Sequence, residues 1–262
     1  ITILGEFKML SVLMPAFNAE KYISAAIDSI AKQRTYCDIE ILVCNDCSTD
    51  STEQILKNKL KQINGLKIFS LESNQGVSTA RNRLLQEIAP QSEYVAFLDS
   101  DDILIEGAYK KALSALNNSP DTQLTISKLR MVPSEFLDFG GELSEEWPVL
   151  SGINLASCIF RKKLLDKIGS FNTSMAYAED LDYMLRMAEI TKEIAHFEDV
   201  VYYYRRHATN ATLNAKELNA GFSRAIMNHM MRRKKDPSLM DAKGMFRIDA
   251  PEMLARARVF HV

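Results

Sequence analysis

Asp99, Asp101 and Asp102 place three carboxylates within four residues, directly after a strongly apolar run. Carboxylates at this spacing repel one another unless a cation neutralises them. Mg²⁺ and Mn²⁺ prefer oxygen ligands and leave positions open for substrate phosphates. The alternative is a solvated acidic turn in which Asp102 caps the following helix. We favour a divalent metal, Mn²⁺ or Mg²⁺, because the three carboxylates directly follow an apolar run that reads as a buried strand. Polar clusters follow other such runs as well and could supply the rest of a binding site.

Two of these clusters come earlier in the chain. Phe17 follows the first apolar run and offers a flat face for a base, although an aromatic residue there is more often core. Asn45 and Asp46 follow the second run and suit hydrogen bonds to a nucleobase edge or a ribose. Arg81 lies in the first turns of a helical segment, where it meets phosphate or base, or else is an ordinary surface arginine.

A fourth group of charges opens a later helical segment. Glu179, Asp180 and Asp182 lie within four residues at the start of that segment. Acidic side chains in a first turn stabilise a helix through its dipole, which is the structural explanation. That explanation gives no reason for three of them.

Apolar runs alternate with amphipathic segments through the first half of the chain. The runs predict strands over residues 10–14, 39–44, 66–71 and 94–98, and the three- and four-residue spacing predicts helices over 19–33, 51–63, 77–88 and 106–117. The apolar residues of these strands are continuous rather than alternating, which predicts an α/β fold: a Rossmann-like, mainly parallel sheet with helices on both faces. Because ligands bind beyond the carboxyl ends of such strands, we expect the polar clusters to converge there.

The regular alternation of predicted strands and helices ends after residue 121. Residues 131–150, which include Trp147, read as a functional loop, and the Trp147 ring could stack on a sugar face. Helices are expected to start near Arg161 and near Asp180, with one or two strands over 193–205 and a helix over 215–235.

Composition excludes several classes of protein. The 262 residues contain no apolar run of eighteen, and residues 1–20 lack a signal-peptide pattern, so we expect a cytoplasmic protein. Four cysteines are too few for a disulfide framework, and the Cys44–Cys47 pair lacks partners for a zinc site. The net charge of −2 argues against nucleic-acid binding. We expect residues 1–8 to be disordered or foreign to the natural protein.

Five ordered motifs together resemble glycosyltransferase family two. They are Ser-Val-Leu-Met-Pro-Ala-Phe-Asn (11–18), Asn-Asp-Cys-Ser-Thr-Asp (45–50), Asn-Gln-Gly-Val-Ser-Thr-Ala-Arg-Asn (74–82), Leu-Asp-Ser-Asp-Asp (98–102) and Ala-Glu-Asp-Leu-Asp-Tyr (178–183). The resemblance covers residues 10 to about 207. It implies the GT-A fold and inverting transfer of a sugar from a nucleotide diphosphate, usually UDP, to a glycan or lipid-linked acceptor.

The resemblance also implies roles for individual residues. Phe17 would stack on the base, Asp46 would hold the base or ribose, and Arg81 would help to bind the nucleotide. Asp180 would be the general base and Glu179 would bind the acceptor, with Trp147 beside it. His207, within Tyr-Arg-Arg-His (204–207), would lie on a basic loop over the diphosphate. The expected nucleotide-binding residues are Pro15, Phe17, Asn18, Asp46, Asn74, Gly76, Arg81, Asp99 and Ser100, and the expected metal ligands are Asp101, Asp102 and His207.

The expected domain organisation follows the same resemblance. A catalytic domain would span 9–212, with a nucleotide-binding half over 9–104 and an acceptor half over 105–212, followed by a basic helical appendage over 213–262. Asn45-Asp46-Cys47 stands where members often carry Asp-Asp-Gly, but Asp46 is retained. The Gln-x-x-Arg-Trp segment of processive synthases is absent, which favours a single addition over polymerisation.

Other functions are compatible with an α/β fold that carries acidic clusters. A sugar nucleotidyltransferase should carry a Gly-rich phosphate loop after the first strand, and a dehydrogenase should carry G-x-G-x-x-G there; neither is present. A catalytically silent protein that binds nucleotide or carbohydrate on the same fold is the remaining alternative. The two acidic clusters argue against it.

The C-terminal part of the chain is basic. Residues 221–262 carry nine Lys and Arg against four Asp and Glu. We expect the apolar face of the helix to pack on the catalytic domain; the alternative is peripheral contact of residues 222–235 with an anionic membrane, which would suit a lipid-linked acceptor. No pattern indicates an oligomeric state. The residues of that apolar face are Phe222, Ile226, Met227, Met230 and Met231.

Overall fold

The computed structural model describes residues 8–139, 142–151 and 154–242. Strands and helices alternate through its first part, as the sequence predicts. The predictions for residues 1–7 and 243–262 lie outside the described residues. The elements of this part are β1 (Met9–Ala16), α1 (Ile23–Lys32), β2 (Ile39–Asn45), α2 (Thr52–Gln62), β3 (Leu66–Ser70), α3 (Val77–Gln86) and β4 (Ser92–Phe97).

The second part is more irregular. The helix expected from residue 106 begins at Lys110, because Gly107 adopts a positive φ of 73° that a helix does not accommodate. Helix starts near 161 and 180 and the strand near 193 are confirmed. The elements are β5 (Ile103–Leu104), α4 (Lys110–Asn118), β6 (Leu124–Pro133), α5 (Ser134–Phe139), β7 (Val149–Ser151), β8 (Cys158–Arg161), α6 (Lys162–Ile168), α7 (Glu179–Ala188), β9 (Ile194–Arg206) and α8 (Ala215–Lys235).

Residues 131–150 are only partly a loop, so that prediction was wrong at both ends. β6 continues to Pro133 because it pairs in parallel with β9 as far as the Pro133–Arg206 register position. A helical turn, α5, follows at once, and β7 then returns antiparallel to β6.

One sheet joins the nine strands of the described residues in the order β3-β2-β1-β4-β8-β6-β9-β5, with β7 paired to β6. β1 to β4 are mutually parallel, and β6 pairs in parallel with β9, so the sheet is mainly parallel. β8 runs antiparallel to β4 and to β6 and joins the two parallel groups. The carboxyl ends of β1, β2 and β4 consequently meet at one edge of the sheet.

Helices cover both faces of the sheet, as predicted. β1 shows why: Val12 packs on one side with residues of α1 and α4, and Leu13 packs on the other with residues of α3, α6 and α7. Alternate side chains of a strand point to opposite faces, so a strand with apolar side chains on both faces must be covered on both. The core is therefore two apolar layers with the sheet between them.

α8 has the predicted bounds, but the face it buries is not the predicted one. Ala225 and His229 are buried against the domain, and a Cβ on Gly221 would lie 2.6 Å from the Tyr177 carbonyl oxygen. The apolar face expected to pack is exposed. Close approach at Gly221 and the charged contacts described below determine this orientation, and they join residues 215–235 to the domain. The exposed side chains are Phe222, Ile226, Met227, Met230 and Met231.

Candidate active site

The loops after β1 and β2 are held together by side-chain to backbone hydrogen bonds. Asn18, with a φ of 48°, accepts a hydrogen bond from the Thr49 amide at 2.8 Å. Asp46 is buried, and its two carboxylate oxygens accept the backbone N–H groups of Gln75 and Gly76 at 2.8 Å each. Asp46 therefore fixes the loop before α3.

The expected base-binding residues around these loops differ in accessibility. The Phe17 side chain is 48% exposed, so its ring is free to stack on a base, and the core explanation is excluded. Pro15 lies within β1 opposite Cys44 of β2, and Asn74 donates a hydrogen bond to the Asp46 carbonyl oxygen at 3.4 Å. The loops thus form a rigid rim with one exposed aromatic ring.

Arg81 is buried, with 4% of its surface exposed, so it is not an ordinary surface arginine. Its Nη2 lies 2.9 Å from Asp99 Oδ1 and its Nη1 lies 2.7 Å from Glu179 Oε1. The side chain therefore connects α3 to the loop after β4 and to α7. Arg81 was expected to bind the nucleotide, but both of its terminal nitrogens are engaged by carboxylates of the protein. An arginine buried at such a point needs these partners, because an unpaired buried charge is strongly unfavourable.

Asp180 follows Glu179 in the first turn of α7. Burial raises the pKa of the Asp180 carboxyl from 3.8 to about 7, and repulsion by Glu179 adds to that shift. The positive charge of Arg81 opposes it. A carboxylate with a pKa near neutrality accepts a proton more readily than an ordinary aspartate does, so Asp180 has the property that a general base requires.

The acidic loop after β4 separates its carboxylates. Asp101 Oδ2 lies 2.9 Å from His207 Nε2, so the acidic loop contacts the residue that follows β9. Asp102 is 1% exposed and accepts the Arg205 backbone N–H at 2.9 Å. Ser100, between them, is half-buried.

The predicted three-residue metal set is therefore not assembled. Within the described ranges, no three His, Cys, Asp or Glu side chains converge on one point as metal ligands. Desolvation raises the pKa of Asp102 well above its usual value, and its oxygen is occupied by the β9 backbone. Asp102 joins the acidic loop to the sheet, whereas Asp101 and His207 face each other.

The basic segment at the end of β9 does not form an open cationic loop. Arg205 is buried; its Nε donates to the Asp101 carbonyl oxygen at 2.8 Å, and its guanidinium lies 4.5 Å from the centre of the Tyr22 ring. Tyr22 in turn lies 4.9 Å from the His207 ring. Arg206 is buried as well and donates to Thr212. The side chains of Arg205 and Arg206 are therefore engaged by the protein itself, and the expected basic loop over the diphosphate stays a prediction.

Tyr22 and Asp138 are site-supporting residues that sequence reasoning missed. Asp138 of α5 accepts a hydrogen bond from Arg205 Nη1, and the Tyr22 ring contacts both the Arg205 guanidinium and the His207 ring. Neither residue belongs to a polar cluster after a strand, so only their positions in space connect them to the acidic loop. The Tyr-Arg-Arg-His segment was the one sequence feature that pointed to such residues. An arginine that becomes buried needs a carboxylate partner, and Asp138 is that partner for Arg205.

Trp147 belongs to an aromatic group rather than standing alone. Its ring centre lies 4.8 Å from that of Phe136 in an edge-to-face contact, and Phe136 lies 5.8 Å from Tyr203 of β9. The indole is half-buried, so part of it remains accessible. α5 therefore links Trp147 through Phe136 and Asp138 to the same end of β9 that carries His207.

Known proteins resemble this chain in sequence. Residues 11–138 match the family model of Glycosyl transferase family 2. The poly(ribitol-phosphate) β-N-acetylglucosaminyltransferase TarS of Staphylococcus aureus is 31% identical over 205 residues, covering 74% of this chain and 35% of TarS. Chondroitin synthase of Escherichia coli is 25% identical over 234 residues, covering 86% of this chain and 33% of the synthase. The chain thus spans about a third of the length of these relatives.

Solved structures show the same fold. TarS 1–349 in complex with UDP-GlcNAc superimposes with a TM-score of 0.63 at 25% identity, covering 79% of this chain and 61% of that one. The mannosyltransferase PcManGT of Pyrobaculum calidifontis, in complex with GDP-Man and Mn²⁺, has a TM-score of 0.67 at 18% identity and covers 98% of this chain and 74% of that one. The GT-A fold is confirmed. No helix among the described residues has the length and hydropathy needed to cross a membrane.

Proposed function

Because the chain carries a domain of glycosyltransferase family 2, we propose that it transfers a hexose or N-acetylhexosamine from a UDP-linked donor to an acceptor hydroxyl, with inversion. The observation that carries the proposal is the position of Arg81. It connects Asp99, at the end of the nucleotide-side strand β4, to Glu179, next to Asp180. Donor-side and acceptor-side carboxylates are thereby held in one site.

The chemistry assigned to Asp180 is proton transfer. As the acceptor oxygen attacks the anomeric carbon, the Asp180 carboxylate accepts the hydroxyl proton, and the bond from that carbon to the diphosphate oxygen breaks. General-base catalysis of this kind typically contributes a factor of ~10² to 10⁴ in rate. Glu179 binds a neighbouring hydroxyl of the acceptor, and Arg81 holds the Glu179 carboxylate in place through the 2.7 Å contact.

Phe17 and Asp46 define the proposed base pocket. The exposed Phe17 ring stacks on the base, while Asp46 holds the loop of residues 74–76 at the edge of the pocket. UDP is the proposed nucleotide because TarS, which is similar to this chain, has been solved with UDP-GlcNAc. The acceptor is proposed to be a glycan or a lipid-linked sugar, to which a single residue is added.

A divalent metal fits one pair of residues. Asp101 Oδ2 and His207 Nε2 lie 2.9 Å apart, and the carboxylate oxygen is a donor suited to Mn²⁺. Asp101 and His207 would hold the ion, with substrate phosphates supplying further ligands. When bound, the ion stabilises the negative charge that develops on the departing diphosphate. Tyr22 and Arg205 keep the two ligands together through the contacts described above.

The variant Asp180→Asn tests the assignment. We expect it to abolish transfer, measured as UDP release from UDP-GlcNAc and other UDP-sugars over a panel of oligosaccharide acceptors. Donor binding should persist, because Asn preserves the size of the side chain and the contacts of Arg81 with Asp99 and Glu179. Asp166→Asn, on the exposed surface of α6, is the matched control and should transfer normally.

Nucleotide binding is measured separately from transfer. Melting temperatures are compared with UDP, GDP, dTDP and CDP, each with and without Mn²⁺, since a ligand of the folded state raises the melting temperature. A metal-dependent rise with one nucleotide supports the transferase. Near-normal transfer by Asp180→Asn removes Asp180 from the mechanism, and nucleotide binding without transfer under any condition supports the silent binding protein instead.

A further inference from the structure

The outward face of α8 carries an apolar patch that no part of the described chain covers. Its five side chains are between 37% and 64% exposed, and they recur at the spacing that places residues on one side of a helix. Single exposed apolar residues are ordinary, but five neighbours on one face mark an interaction surface. The patch consists of Phe222, Ile226, Met227, Met230 and Met231.

The opposite face of α8 holds the helix in this orientation. Arg232 Nη1 lies 2.9 Å from Asp182 Oδ1, and Arg232 Nε lies 2.9 Å from both carboxylate oxygens of Glu189. His229 Nδ1 lies 2.6 Å from Glu189 Oε1. Asp182 lies in α7 and Glu189 directly follows it, and both carboxylates are buried. Rotating the patch inward would remove Arg232 from both carboxylates and would leave the buried Glu189 without its two partners on α8. The patch therefore stays outward in the folded protein.

The charge around the patch has one sign. From Gly221 to Lys235 the helix contains five basic side chains and no acidic one. Arg232 is engaged with α7 and Arg233 lies 3.3 Å from Asp241, whereas Lys234 and Lys235 are exposed at the end of the patch. An apolar face bordered by lysines complements a surface that is apolar inside and anionic outside, which is the surface of an anionic lipid bilayer.

We propose that this face of α8 binds anionic membrane surfaces. The five apolar side chains enter the boundary between headgroups and acyl chains, and Lys234 and Lys235 contact the anionic headgroups. The inner side of the same helix touches Tyr177, two residues before Glu179. A helix is ~10 Å across, so the bilayer surface would lie about that far from the segment leading into α7.

This arrangement specifies the acceptor class, and for that part it rests on the proposed transferase function. An acceptor sugar linked to a lipid would be presented at the side of the cleft where Asp180 lies. A bilayer bound elsewhere on the protein would not give this proximity. The inference is therefore that the enzyme takes its acceptor from the membrane surface.

Vesicle sedimentation tests the proposal with the full chain and no sugar donor. Vesicles of phosphatidylcholine alone are compared with vesicles that also contain phosphatidylglycerol, at low and high salt. We expect binding only to the second, weakened by salt. Met227→Glu with Met230→Glu should abolish it. Lys234→Glu with Lys235→Glu should lower the partition coefficient roughly twenty-fold or more, since each basic residue near an anionic surface contributes about a five-fold effect.

Matched controls lie on α2. Leu60→Glu removes another exposed apolar side chain, and Lys61→Glu reverses another exposed charge; both should bind vesicles as the unmodified chain does. Circular dichroism and melting temperature confirm that each variant is folded.

Three outcomes overturn the proposal. The first is an absence of binding to either vesicle, and the second is equal loss of binding in the α2 controls. The third is a dimer in lipid-free solution that Met227→Glu with Met230→Glu dissociates, which would assign the patch to a second copy. Because no donor is present, a failure here leaves the transferase proposal intact, and a failure of the Asp180 test leaves the vesicle result intact.

Discussion

Asp180→Asn should stabilise the protein at alkaline pH while it removes transfer activity. In the folded chain the pKa of Asp180 is about 7, raised from 3.8 first by burial and then by Glu179. A carboxyl group with a raised pKa in the folded state favours folding when it is protonated, and that contribution is lost as the pH rises through about 7. At pH 8 the ionised Asp180 therefore destabilises the fold, and a neutral asparagine does not.

The size of this effect follows from the shift. One pKa unit corresponds to about 1.4 kcal/mol, so the full shift is worth about 4 kcal/mol. Asp180 is half-buried, and screening by solvent reduces the effect to about 2 kcal/mol. The increase in unfolding free energy of the Asn variant over the unmodified chain should be complete above about pH 7. It should vanish as the pH falls towards 3.8, where Asp180 is protonated in both the folded and the unfolded state.

The assay is urea unfolding of the unmodified chain and the Asn variant at pH 8 and at pH 5, followed by circular dichroism. Asp166→Asn, an exposed change on α6, is the control and should behave alike at both pH values. If Asp180→Asn is no more stable than the unmodified chain at pH 8, or gains as much at pH 5, then Asp180 is not a desolvated carboxylate and its assignment as base loses its physical support.

Three further substitutions test the contacts that build the site. Arg81→Met leaves two carboxylates facing an apolar side chain and should cost about 3 to 5 kcal/mol in urea unfolding, unlike an exposed arginine, whose removal changes little. Arg232→Met should cost less, about 1.5 to 3 kcal/mol, because the buried carboxylates of Asp182 and Glu189 keep Arg186 and His229 as partners. The exposed control Lys234→Met should leave stability unchanged. Asp101→Ala should weaken metal-dependent UDP binding in calorimetry without changing metal-free binding; unchanged affinity in Mn²⁺ would exclude Asp101 as a ligand.

Much of the fold was predictable because it depends on local patterns. Mostly apolar, non-alternating runs such as residues 39–44 are typical of strands covered on both faces, and the three- and four-residue spacing within residues 215–235 predicts helix α8. Polar residues that follow these runs, such as Asp46 and Asp101, were predicted to converge because the carboxyl ends of parallel strands share one edge. Their proximity to that edge is what the structure shows.

The sequence by itself therefore determined the alternating α/β core, the edge that carries the site, and the family to which the domain belongs. Only the tertiary structure decided which partners the charged residues take. Arg81 pairs with Glu179, which is 98 positions away in the sequence. Asp102 accepts a backbone N–H of β9, and the apolar side of α8 faces outward. These outcomes depend on contacts between elements that are distant in sequence. A buried charge needs a partner of opposite charge, and the local spacing of residues does not specify which partner will be close in the fold.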